Sequence, residues 1–217
     1  LTAMVLRRSH NLGADDFPEQ LQELKTYFST SNSAGKVRAI PGEGIDIPMW
    51  ILGSSTDSAY LAAYLGMPYA FAAHFAPQQM EAAFAIYRQQ FKPSIQMSQP
   101  YIMACVNVIA ADSDEESHYI ATSAYQAFLG IIRGHRELLQ PPVKNMSSIW
   151  NEYEEAHVKA MLSSSFIGSA DTINKGIQNF IARTGINELM VNSHIFDPIA
   201  KLHSYELLGK VMKSGFA

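Results

Sequence analysis

The fold turns on one stretch: Met49-Trp50-Ile51-Leu52-Gly53-Ser54-Ser55-Thr56-Asp57-Ser58-Ala59, continued by Tyr60-Leu61-Ala62-Ala63-Tyr64-Leu65-Gly66. It is a short apolar run, a Gly-Ser-Ser break, and a small-residue helix closed by glycine. A buried strand delivers the chain to a hydroxyl-rich turn, and a helix starts there. Two readings of that turn stay open. A serine caps the helix, the usual role of Ser or Thr at such a position. Alternatively the first free amides, with Ser54, Ser55 and Ser58 beside them, hold an anion such as a phosphate.

Downstream of this stretch the same alternation continues. The first strand is about Met49 to Leu52, with its helix from about Asp57 to Leu65 and Gly66 as the left-handed stop. A second strand, about Tyr69 to His74, precedes a helix from about Pro77 to Phe91 with Met80, Phe84, Tyr87 and Phe91 on one face. Tyr101 to Ala110 is a third, nearly all-apolar strand. Ser113 with Glu116 is the pattern of a capping box, opening a long helix that holds Tyr119, Ala124, Phe128 and Ile132. Gln140-Pro141-Pro142 breaks the chain before a helical segment around Asn151 to Leu162. Ser169 or Ala170 opens a helix with Ile173, Ile177, Phe180 and Ile181 inward. Leu189 to Asn192 is the fourth strand, and Pro198 to about Met212 the last helix.

Upstream, Leu1 to Leu12 has no clear period. Asp16, Pro18 and Glu19 start a helix whose Phe17, Leu21, Leu24 and Phe28 define one buried face, and Ser29 to Gly44 reads as a surface loop. Near-continuous apolar strands separated by amphipathic helices argue for an α/β fold with a parallel sheet buried on both faces.

Composition narrows the function. The 217 residues are 47% hydrophobic and 17% charged, which is globular, and the net charge of -4 gives no electrostatic case for nucleic acid or an anionic membrane. No stretch approaches the roughly 20 apolar residues of a spanning helix. The lone Cys105 excludes an internal disulfide and sits in an apolar run. A cytoplasmic location is the simplest expectation. The opening on Leu1 points to a processed or truncated product. The histidines at 10, 118, 135, 157 and 203 show no metal spacing. There is no Gly-x-Ser-x-Gly elbow, Walker loop or dinucleotide glycine motif. Gly168-Ser169 before a helix could bind an anion, with a plain helix cap as the commoner reading.

Two stretches carry a resemblance. Ile51-Leu52-Gly53-Ser54-Ser55 through Ala62-Ala63-Tyr64-Leu65-Gly66-Met67-Pro68-Tyr69-Ala70-Phe71-Ala72-Ala73-His74-Phe75 resembles the middle of the bacterial luciferase-like flavin monooxygenases. Phe166-Ile167-Gly168-Ser169, then Glu188-Leu189-Met190-Val191-Asn192-Ser193-His194-Ile195-Phe196-Asp197, resembles the end of the same family, in the same order and spacing. The resemblance runs over nearly the whole chain. It implies a luciferase-like (β/α)8 TIM barrel, a fold of eight strands and about 250 residues. Of this the chain holds the second half, about four parallel strands, as one domain over 1–217 with the first half lying before Leu1. A half-barrel leaves open strand edges and an uncovered apolar face, so a homo-oligomer or a partner half is expected.

The resemblance further implies reduced FMN as cofactor, supplied by a separate flavin reductase, with O2 and a small organic substrate as reactants and no role for nucleic acid or membrane. Ser54, Ser55 and Ser58 match the family's flavin-phosphate turn, although position 54 is acidic in the luciferases proper. Arg7 and Arg8 fall where the family supplies an arginine to the same phosphate, a surface arginine being the alternative. Strand C-terminal ends face the active site, which places Ala72 to Phe75, Asn107 to Ile109 and Asn192 to His194 there. His74 and His194 are therefore the catalytic candidates, each weighed against a structural histidine. The family's catalytic histidine belongs to the first half and has no match here. The rival reading is a non-catalytic, flavin-binding or self-associating remnant of the barrel.

Overall fold

The computed structural model describes residues 16–30 and 37–215; Arg7 and Arg8 lie outside them. By its internal contacts the chain divides into two compact units, Leu1–Met49 and Trp50–Ala217. The first contains α1 (Phe17–Phe28) and a turn ending at Gly44, whose φ of 80° suits glycine. The expected buried face of α1 is not formed: none of its residues is buried, and Phe17 and Leu24 are exposed. A unit of this size has too little interior to bury a helix face.

The second unit holds everything else. In chain order it contains β1 (Ile51–Gly53), α2 (Thr56–Leu65), β2 (Tyr69–Phe71), a short 3-10 turn (Pro77–Gln79), α3 (Met80–Gln90), β3 (Ile102–Ala110), α4 (Asp114–Ile132), α5 (Glu152–Met161), β4 (Ser165–Gly168), α6 (Ala170–Thr184), β5 (Glu188–Asn192) and α7 (Pro198–Gly215). Helix ends follow the local chemistry. Gly66 is left-handed at φ 59° and ends α2. Asn151 and Glu154 form a reciprocal capping box on α5.

Five strands form one parallel sheet, one more than the four read from sequence. The additional strand is Ser165–Gly168. Its four residues lie too close to the following helix to show a strand period. The long β3 is the spine. Met103 and Ala104 pair with β2 on one side and β5 on the other, while Asn107 pairs with both β4 and β5. Thus β2 and β4 share one edge of β3 in succession, and β5 takes the opposite edge.

The expectation that both faces are buried is half met. Ile51, Tyr69, Phe71, Ile102, Ala104 and Val106 share the helix-covered face, and none is more than 2% exposed. Tyr69 packs edge-on to Phe84 of α3 at 6.5 Å and lies 5.3 Å from the Tyr87 ring. Burying one such aromatic contributes about 1.5–3 kcal/mol. The other face, which alternation assigns to Leu52, Ala70, Met103, Cys105, Asn107, Met190 and Asn192, is covered unevenly: Ala70, Met103 and Asn107 are buried, whereas Leu52 is 66% and Met190 51% exposed. Those exposed residues are the open apolar surface a half-barrel implies. Among the described residues no helix is long and apolar enough to cross a membrane.

Candidate functional site

The C-terminal ends of the strands carry the site, beginning with the Ser-rich turn between β1 and α2. Ser55 occupies the N-cap position of α2 with extended backbone (φ -135°, ψ 170°), yet its side chain makes no capping hydrogen bond. The capping reading is therefore not what the hydroxyl does. Ser58 faces inward: its Oγ donates to the Ser55 carbonyl at 2.8 Å and lies 3.0 Å from the Tyr69 hydroxyl. Tyr69 Oη itself lies 3.2 Å from the Ser55 carbonyl. Burial, only partly offset by Ser58, pushes the Tyr69 phenol up to about 12. Ser58 thus locks the turn from behind.

Gly53 is required by that lock. A Cβ there would stand 2.0 Å from Ser58 Oγ and 2.3 Å from Ser58 Cβ. The first helical amide, Thr56 N–H, donates to Gln79 Oε1 at 3.1 Å. Asp57, in the first turn of α2, is exposed and makes no bond to the turn's amides among the described residues. What remains is a helix N-terminus with serine hydroxyls, no side-chain cap, and no carboxylate from another element in place. Its donors fit one phosphate group.

The second part is a polar cluster across β2, β3, β4 and β5. Asn107, Ser165 and Asn192 stand in one row of the sheet. Asn107 Nδ2 donates to the His74 carbonyl at 2.5 Å and lies 3.3 Å from Ser165 Oγ. Asn192 Nδ2 lies 3.3 Å from His194 Nδ1, and the His194 ring meets Phe128 edge-on at 5.8 Å. His74 stacks edge-on with Phe75 at 5.0 Å.

Burial, then the charge His194 would carry, holds His74 below the ordinary histidine range. Burial, then Lys201, does the same to His194. The two histidines named from sequence are therefore brought into one electrostatic neighbourhood, where both favour the neutral imidazole. Cys105, one row below Asn107, has its thiol pushed up by burial and is not poised as a nucleophile. Among the described residues no group of three or more His, Cys, Asp or Glu side chains could hold a metal.

Several members were not singled out from sequence. Tyr69 and Gln79 gave no signal, since an aromatic in a buried strand and a glutamine in a turn are ordinary. Asn107 is among the strand-end positions the sequence places at the site, and its signal is physical: an amide inside an otherwise apolar strand must find a partner or a purpose. The Gly168-Ser169 turn, read as a plain cap, is held by Asp114 instead. Asp114 Oδ1 accepts the Ser169 amide at 2.6 Å, and Thr172 Oγ1 donates to Oδ2 at 3.1 Å. Those contacts, the Ser169 amide foremost, hold the Asp114 carboxyl below the usual carboxylate range.

Comparison with known proteins bears on the family and the fold. The profile of the luciferase-like monooxygenase family matches residues 16–188. The Bacillus subtilis protein YvbT, itself uncharacterized, is 47% identical over 99% of this chain and 64% of its own length. An Escherichia coli K12 protein named luciferase-like monooxygenase is 44% identical over 95% of this chain and 62% of its own. The chain thus spans just under two thirds of these relatives. Among solved structures, apo-MsnO8 superposes with a TM-score of 0.74 at 27% identity, covering 93% of this chain and 61% of that one.

The fold alone is shared with the oxygenating component of 3,6-diketocamphane monooxygenase from Pseudomonas putida, solved in complex with FMN (TM-score 0.57, 16% identity, 83% of this chain and 52% of that one). It is also shared with the coenzyme F420-dependent tetrahydromethanopterin reductase of Methanopyrus kandleri (TM-score 0.53, 16% identity, 91% and 63%). Its parallel α/β architecture is that of the luciferase-like TIM barrel, and the chain belongs to the luciferase-like monooxygenase family.

Proposed function

We propose that this chain contributes the phosphate-binding turn and one wall of the active site of an FMN-dependent monooxygenase that oxidises a small organic substrate with O2. The observation that carries this reading is the open Gly53-Ser54-Ser55 turn at the head of α2. Bound reduced FMN would supply the oxygen chemistry, and a separate flavin reductase would supply the reduced FMN. The protein's part is binding, orientation and exclusion of water.

Ser54 and Ser55 donate to the phosphate, while Ser58, held by the Ser55 carbonyl and Tyr69, fixes the turn behind them. Arg7 and Arg8 are the proposed source of the balancing charge, and an arginine suits a phosphate through paired donors. His74 and His194 line the reacting region as neutral imidazoles. The Asn192 side-chain amide, 3.3 Å from His194 Nδ1, is the group that sets the His194 tautomer.

The test is an equilibrium titration with FMN, oxidised and reduced, followed by flavin fluorescence. The expected result is saturable binding, weakened about tenfold by Ser55→Ala, the loss of one charge-assisted hydrogen bond. No saturation by about 50 μM, or tighter binding of F420 than of FMN, overturns the assignment. A second reading, a self-associating remnant without catalysis, is favoured by the exposed Leu52 and Met190 on the open sheet face. Size-exclusion mass separates the two: a clean monomer counts against self-association.

A further inference from the structure

The first helical amide of α2 has a partner from another element. Thr56 N–H donates at 3.1 Å to Oε1 of Gln79, 23 positions further along the chain. A backbone N–H can face only the oxygen of that side chain, so the orientation of the Gln79 amide is fixed. Gln79 comes from the 3-10 turn after β2 and stands at the N-cap position of α3, where its side chain makes no capping bond. It reaches α2 instead. Its neighbours Pro77 and Met80 are buried and anchor the turn, whereas Gln79 itself is exposed.

A neutral, exposed side chain on one hydrogen bond is a weak occupant of a helix end. Such a bond contributes little net, while an anion on the same amide makes a charge-assisted bond about twice as strong and also meets the positive end of the helix. The turn at Ser169 shows a strong occupant. There the Asp114 carboxylate uses one oxygen on the Ser169 amide and the other on the Thr172 hydroxyl.

We propose that Gln79 is an autoinhibitory plug of the α2 turn: its side-chain carbonyl competes with a ligand's phosphate for the Thr56 amide and leaves when the phosphate binds. The plug rests on the phosphate-binding reading of the turn given above and adds the residue that sets its affinity. Displacement breaks one neutral hydrogen bond and forms one charge-assisted bond. The anchored backbone of the 3-10 turn stays in place while the exposed side chain swings away.

The test compares the wild type with Gln79→Ala and Gln79→Glu. FMN is titrated by fluorescence, and the 15N resonances of the Thr56 amide and the Gln79 side-chain amide are followed with FMN and then with inorganic phosphate. In the wild type FMN should shift both resonances together. Gln79→Ala should bind FMN about threefold more tightly, because the competing bond is gone. Gln79→Glu should weaken FMN at least about tenfold at pH 7, because a carboxylate then sits against the incoming phosphate. That loss, relative to wild type at the same pH, should shrink as pH falls toward the ordinary glutamate value of about 4.3, where the substituted carboxyl becomes neutral. A packing defect would not follow pH in this way. Three results decide against one claim or both. FMN that saturates the wild type but binds Gln79→Ala no more tightly overturns the plug alone, as does a Thr56 shift with the Gln79 side-chain resonance unmoved. No FMN binding to any of the three proteins, with phosphate shifting the Thr56 amide more in Gln79→Ala than in wild type, overturns the cofactor reading and supports the plug. No response to either probe overturns both.

Discussion

Two strand-glycine-serine-helix turns sit at the C-terminal ends of this sheet, and they solve the same problem in opposite ways. Gly53-Ser54-Ser55 leads from β1 into α2, and Gly168-Ser169 leads from β4 into α6. In both, the N-cap serine has an extended ψ and its side chain makes no capping hydrogen bond. At Ser169 the helix end is filled from within the fold, by Asp114 reaching across from the start of α4. At Ser55 a neutral side chain, Gln79, accepts the Thr56 amide, and no carboxylate from another element is present. The filled turn is a clamp between helices. The Ser55 turn carries no negative charge of its own beyond the exposed Asp57, and a helix N-terminus without an internal anion is where an external one binds.

The glycines mark how tightly each turn is built, and substitution there gives the largest expected effects. Gly53→Ala drives its Cβ into both Oγ and Cβ of Ser58, and Ser58 Cβ cannot move without the helix backbone. We expect a loss of about 3 kcal/mol of stability together with loss of FMN binding, read by thermal unfolding and titration. Gly168→Ala meets Thr172 Cγ2 at 2.5 Å, Thr172 Cβ at 2.7 Å and Asp114 Oδ1 at 2.9 Å, so it too presses on the backbone of its helix, less closely than at Gly53. A loss of about 2–3 kcal/mol is expected, with FMN affinity kept. If Gly168→Ala abolished FMN binding as Gly53→Ala should, the division between clamp and binding turn would fail.

Asp114 sharpens the comparison through pH. Its folded pKa lies below the ordinary value of about 3.9, so it binds protons less readily folded than unfolded. Its contribution is therefore present above the ordinary carboxylate range and lost as pH falls through and below it. Acid unfolding of the wild type should show this loss, and Asp114→Asn should flatten that limb while leaving neutral-pH FMN affinity in place. With Asp114→Ala, inorganic phosphate should newly perturb the Ser169 amide resonance. No response there would mean that the second turn is not shaped for an anion at all.

Much of the fold was legible because burial imposes a period. β2, β3, α2 and α4 declare themselves by apolar runs or helical spacing, and Gly66 by its need for a left-handed residue. β4 was not legible as a strand, since Ser165–Gly168 owes its state to pairing with the far half of β3 and not to its own sequence. The face of α1 misled for a related reason: Phe17, Leu21, Leu24 and Phe28 supply a helical stripe, but a stripe is buried only where something covers it. In the site, Ser54, Ser55, His74 and His194 came from matching stretches. Which serine faces inward, and that Asp114 fills the second turn, depend on side-chain contacts between elements distant in sequence, such as Ser58 with Tyr69 and Asp114 with Ser169.

The smallest expected effect is the most discriminating for Ser55. Ser113 Oγ accepts the Glu116 amide at 3.1 Å, and Asn151 Oδ1 accepts the Glu154 amide at 2.9 Å, so both are working caps. Ser113→Ala and Asn151→Ala should each cost about 1 kcal/mol in chemical unfolding. Ser55 stands at the same position of its helix but accepts no amide. Ser55→Ala should change stability by no more than about 0.5 kcal/mol, while weakening FMN. A stability cost equal to that of Ser113→Ala would return Ser55 to the role of cap. Any loss of FMN affinity would then follow from a frayed helix end, and the case for a phosphate contact at that hydroxyl would be gone.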